Sequence, residues 1–90
     1  MATGRQHGTK DETVSISAAS TITGIEIHTL RYWEKEFSEY LSPARTSGGQ
    51  RRYRPQDIQV VFVLKRLLRE EMFSIAGALK HLRRPHDRAA

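Results

Sequence analysis

Between Arg45 and Arg54 the chain reads R-T-S-G-G-Q-R-R-Y-R, four arginines with no acid among them. Guanidinium groups at that density suit a polyanion, because each presents a planar fork of donors that matches phosphate oxygens. Gly48-Gly49 at the centre predicts a tight hairpin turn. Side chains alternate faces along a strand, so Arg51 and Tyr53 share one face and Arg52 and Arg54 the other. One set is expected to face the polyanion, the other solvent or the carboxyl end of a helix. The plainer role for such a strand is to solubilise a sheet edge and discourage aggregation.

About a dozen residues upstream stands H-T-L-R-Y-W-E, His28 to Glu34, on a short predicted helix. Ile27, Leu30 and Glu34 recur at i, i+3 and i+7 and should face the core. His28 and Arg31 fall together on another side, with Thr29 and Tyr32 next to them. Short polar or basic side chains near a helix N-terminus are what a recognition helix offers to base edges. Arg31 and Tyr32 stand further along, where a groove-bound helix meets the phosphate wall. The plainer alternatives are an exposed ion pair of Arg31 with Glu34 or Glu36 and core packing for Trp33. A short helix followed by a basic hairpin divides the work of binding DNA: one enters a groove, the other grips phosphate.

Enzymatic constellations fail. The histidines lie at 7, 28, 81 and 86, and none has a partner at metal-ligand spacing. Glu34, Glu36 and Glu39 read as the solvated face of an exposed helix. Gly48-Gly49 fits neither phosphate-loop pattern. No catalysis, metal or cofactor is expected.

Ninety residues make one small domain. A hydrophobic fraction of 38% supports a compact core but no deep substrate cleft. A net charge of +5 favours nucleic acid or an anionic surface as partner. Without cysteine there are no disulfides, thiolate metal sites or redox chemistry, which fits a reducing cytoplasm. The longest apolar run, Val60 to Leu64, is five residues, far short of the ~20 of a membrane span.

The elements follow from caps and periodicity. Val14 to Ile16 is expected as a very short strand. Ser17 caps a first helix from Ala18 to about Thr23, with Ala19 and Ile22 inward and Gly24 as its stop. The second helix runs from near Glu26 to about Phe37, and the joint Thr23-Gly24-Ile25-Glu26 suits a helix-turn-helix corner. Ser42-Pro43 breaks it and the hairpin follows. Pro55 opens a third helix with Asp57 in its first turn. Its main stripe is Ile58, Val61, Phe62, Lys65 and Leu68, widened by Val60, Val63, Leu64 and Leu67. Glu70 to Phe73 ends it. Ser74 caps a fourth helix that turns Ile75, Ala78, Leu79 and Leu82 to the core.

These residues carry a resemblance. Ile16, Gly24-Ile25, Thr29-Leu30-Arg31-Tyr32-Trp33-Glu34, then Pro43, Arg45, Gly48-Gly49, Arg51, Tyr53 and Asp57, then Leu67 and Phe73-Ser74-Ile75, in that order and spacing, resemble the DNA-binding domain of the MerR family. The resemblance covers about Val14 to Leu82. It implies a mainly α fold, a winged helix-turn-helix with about four helices and a short β-hairpin wing. In that fold the second helix enters the major groove. His28 matches a base-reading position, Arg31 and Tyr32 a phosphate-contacting pair, Arg51 and Tyr53 the wing arginine and tyrosine, and Gly49 the turn. Trp33 replaces the second Tyr of the commoner T-L-R-Y-Y-E form, and Met72 stands where Gly usually ends the third helix.

The expected organisation is a disordered tail over 1–13, the DNA-binding domain over 14–82 and a basic frayed end over 83–90. The expected function is sequence-specific binding of double-stranded DNA by a cytoplasmic bacterial transcription regulator. His28 and Thr29 would read bases, while Arg31, Tyr32, Arg45, Arg51 and Arg52 would hold phosphates. Family regulators usually continue into a dimerising helix, so a second copy is an expected partner through a segment outside this chain. Two other classes fit the same fold. One is an excisionase-like architectural binder. The other is a protein-interaction module using Val60 or Val63 as an exposed patch.

Overall fold

The computed structural model describes residues 12–84. The expected tail over 1–13 therefore lies almost wholly outside the described residues, as does the expected frayed end from residue 85 on, with His7 and His86. Four α-helices and a two-stranded antiparallel hairpin make up the fold, the mainly helical winged helix-turn-helix that the sequence predicts.

Helix α1 spans Ile16–Thr23. Its cap is Ser15, whose hydroxyl accepts the Ala18 N–H at 3.1 Å, two residues before the expected Ser17. The reason is tertiary. Val14 is pinned by a two-way backbone bridge to Tyr53, at 2.9 and 2.7 Å. The chain leaves that bridge extended at Ser15 and enters the helix at once. Gly24, at φ 78, ends α1 and returns its N–H to the Ser20 carbonyl, a left-handed stop that glycine adopts without strain. The buried face of α1 is Ala19 and Thr23, whereas Ile22, expected inward, is half exposed. Small side chains on that face suit the close approach of α2.

Helix α2 spans Ile27–Glu36. Leu30 and Trp33 are buried on it, continued by Phe37 and Leu41 beyond its end. Strands β1 (Ala44–Arg45) and β2 (Arg51–Arg52) pair Ala44 with Arg52 and Arg45 with Arg51. The turn spans Thr46 to Gln50 and is longer than a two-residue glycine loop. Gly49 N–H closes onto the Thr46 carbonyl at 2.8 Å, and Gly49 alone takes a positive φ there, 85°.

Helix α3 spans Pro55–Lys65 and widens into a π-helical turn over Arg66–Glu70. Asp57, Val61, Leu64 and Leu67 are its buried residues. Phe62, expected in the inner stripe, is 44% exposed. Val60 and Val63, offered as an exposed patch, pack against the core instead. Met72 takes φ 60 in the link to α4 (Ile75–Arg83). Ser74 caps α4 as expected, accepting Gly77 N–H at 2.9 Å. The core joins α1, α2, α3 and α4 through Ala19, Leu30, Trp33, Val61, Leu64 and Ala78, with Tyr53 contributed by the hairpin side.

Candidate nucleic-acid interface

The corner between α1 and α2 is held from below. Lys65 donates its ammonium to the Thr23 carbonyl at 2.8 Å, and Ser20 donates its hydroxyl to the Ile25 carbonyl at 2.6 Å. Arg69, from the π turn, donates to Glu26 at 2.9 Å and lies 6.0 Å above the Trp33 ring. These contacts set the angle at which α2 leaves the body.

The outward side of α2 carries His28, Arg31, Tyr32 and Lys35, all exposed. Thr29 is half-buried, and its hydroxyl donates to the Glu26 carboxylate at 3.2 Å. The same carboxylate is held down to a pKa of about 2, first by the hydrogen bond from Arg69. Among the described residues Arg31 takes no ion pair, so its alternative as a partner of Glu34 or Glu36 is not realised.

The wing answers α2 with one acid at the join. Glu34 is 9% exposed and receives Arg51 Nε at 2.6 Å on Oε1 and the Tyr53 hydroxyl at 2.5 Å on Oε2. Arg45 Nη2 lies 3.8 Å from Oε1. Glu34 is thus no solvated surface acid, contrary to its grouping with Glu36 and Glu39 on an exposed face. Its place at i+7 from Ile27 on the inward stripe is the reading that holds.

Alternation along the return strand holds, with Arg51 and Tyr53 both on the α2 side. Tyr53 has no exposed surface, so it packs and anchors the wing. Burial, then the bond to Glu34, pushes its phenol pKa up. On the other side, Arg52 donates to the Thr13 hydroxyl and carbonyl at 3.1 and 3.0 Å. Arg54 chelates Asp57 at 2.8 and 3.0 Å.

Two open grooves flank the seam between α2 and the wing. One, about 310 Å³, is lined by Arg31, Lys35, Arg45 and Arg51 around Glu34. The other, about 330 Å³, runs from Ser15 and Ser17 at the start of α1 to Gly49 and Gln50 in the wing turn. Arg31 and Arg51 line both. The structure therefore brings Arg31, Arg45, Gly49 and Arg51 to one seam. It places His28 and Thr29 earlier on α2, and Arg52 behind the wing. Lys35, absent from the expected set, joins the seam because it follows Arg31 by one helical turn.

The MerR helix-turn-helix family of regulatory proteins is the family whose model matches, over residues 14–84. The chain belongs to the MerR family. It is also 34% identical over 62 residues to a Streptomyces coelicolor protein described as "Putative heat shock protein HspR". That match covers 69% of this chain and 40% of the relative, so the chain corresponds to well under half of that protein. The coarse function that goes with MerR membership is DNA-binding transcription regulation. Among the described residues no helix is long and apolar enough to cross a membrane.

Proposed function

We propose that this MerR domain binds double-stranded DNA in a sequence-specific manner, as the DNA-reading part of a transcription regulator. The observation that carries this reading is the convergence of Arg31, Lys35, Arg45 and Arg51 along one seam between an exposed helix and a wing. In this reading α2 lies in the major groove. His28, in its first turn, meets base edges with Thr29 beside it. Arg31, Arg45 and Arg51 hold phosphates on either side of the helix, and the exposed Tyr32 hydroxyl adds one hydrogen bond. Arg52 supports the wing from behind through Thr13, and Tyr53 anchors it.

Selection from random duplex DNA at fixed salt, followed by titrations of variants, tests the assignment. Arg31→Ala should weaken all sequences alike and reduce the salt slope by about one. His28→Ala should change the preferred sequence. Uniform weakening by His28→Ala would place His28 among the phosphate contacts, and an unchanged slope in Arg31→Ala would remove Arg31 from them.

A further inference from the structure

An acid at the centre of a phosphate-facing seam is electrostatically out of place. Its field opposes DNA, and loss of such a charge alone should tighten binding. The geometry of Glu34 argues for the opposite effect. Among the described residues, every hydrogen bond between α2 and the hairpin with its continuation to Tyr53 ends on this one carboxylate. Arg45 approaches it from β1, Arg51 from β2 and Tyr53 from the residue after β2. One side chain thus ties both sides of the wing to the recognition helix.

The way Arg51 is held matters as much as the fact that it is held. It spends its Nε–H on Glu34 at 2.6 Å. A guanidinium carries five donors in a rigid fork, so bonding at Nε fixes the plane while the Nη edge can still meet a second acceptor. Arg51 lines both grooves of the seam, with one-fifth of its side chain exposed.

We propose that Glu34 is a positioning residue for DNA binding: it locks the wing onto α2 and aims the Nη edge of Arg51 at a phosphate. The proposal rests on the DNA-binding reading above. Fixing the guanidinium before DNA arrives removes an ordering cost from binding. That gain outweighs the repulsion of a carboxylate already neutralised by two arginines.

The two effects have opposite signs, which makes the test direct. Fluorescence-anisotropy titrations would use the duplex selected by the unaltered chain, over a range of salt. Glu34→Gln removes the negative charge, and Glu34→Asp keeps it but shortens the reach. Both should weaken binding, Glu34→Gln by roughly tenfold. The salt slope of Glu34→Gln should fall by about one as Arg51 loses its aim. Glu34→Gln combined with Arg51→Ala should weaken binding by less than the product of the two single losses. Circular dichroism and a melting curve establish that each variant is folded. Should Glu34→Gln fail to fold, Tyr53→Phe carries the test, since it keeps the buried ring and removes only the hydroxyl; a severalfold loss of affinity is expected. Tighter or unchanged binding by the folded variant used, or independent effects of Glu34→Gln and Arg51→Ala, overturns the proposal. An unaltered chain with no salt-dependent duplex binding overturns the DNA reading first, and this inference with it.

Discussion

Tyr53 places a phenol hydroxyl with no exposed surface against a carboxylate 2.5 Å away. Hydrogen bonds to charged groups contribute about 1.5–3 kcal/mol, so Tyr53→Phe should lower unfolding stability by about 2 kcal/mol in urea titrations at neutral pH. The pH dependence has a definite sign. Folding raises the phenol pKa above its ordinary 10.0, so the contribution is complete below pH 10. Above that, the unfolded chain ionises first and the contribution is lost. The gap between the unaltered chain and Tyr53→Phe should therefore close as pH rises past 10. Glu26 works in the other direction. Its pKa falls from 4.5 to about 2 through Arg69. The stability gap to Glu26→Gln should be present above pH 4.5 and vanish as pH falls toward 2. The group is exposed, so that gap is small. Strand alternation was enough to pair Arg51 with Tyr53. It could not say which face turns inward, because that depends on the acid of another element waiting at the join.

Caps and stops account for most element boundaries. Gly24, Pro55 and Ser74 punctuate the chain where local chemistry requires, whereas α2 ends at Glu36, well before Ser42-Pro43. Two other ends depart from local rules, for different reasons. Ser15 displaced Ser17 as the cap of α1 because the Val14–Tyr53 bridge, 39 residues apart in sequence, delivers the chain to the helix early. Met72 sits at φ 60 with 76% of its surface exposed. A side chain in the left-handed region costs roughly 1 kcal/mol, and this one is too exposed to recover much by packing. Met72→Gly should therefore leave the fold intact and raise the melting free energy by up to about 1 kcal/mol; a loss of stability would mean that the side chain makes contacts that offset its strain. At the start of α3, buried Asp57 accepts both the Arg54 backbone N–H at 2.9 Å and its guanidinium. Asp57→Ala leaves these donors unpaired and should cost about 2 kcal/mol in chemical denaturation. Sequence placed an acid in this first turn for the helix dipole. Its burial follows from the packing of the hairpin exit against α3.

For the whole molecule, the seam gathers three arginines, and each phosphate neutralised contributes about 0.9 to the salt slope. Duplex affinity should therefore fall with log salt at a slope of about −3, measured by anisotropy; a slope near zero would exclude a phosphate-gripping wing. The chain spans 40% of the length of the curated relative that it matches. An isolated reading head of this size should bind one half-site far more weakly than a linked pair would bind two. Residue order alone determined the helix-turn-helix, the wing and the family, because turn chemistry, apolar periodicity and motif spacing are local and survive in one dimension. It also placed Arg31, Arg51 and the turn glycine Gly49 in the elements where they are found. Tertiary structure decided what each charge does. Arg52 and Arg54 bond Thr13 and Asp57, Lys35 joins the seam, Tyr53 is buried, and Glu34 becomes the join rather than a surface acid. A charge acts on what lies within a few ångströms of it, and the fold alone brings residue 34 to residues 45, 51 and 53.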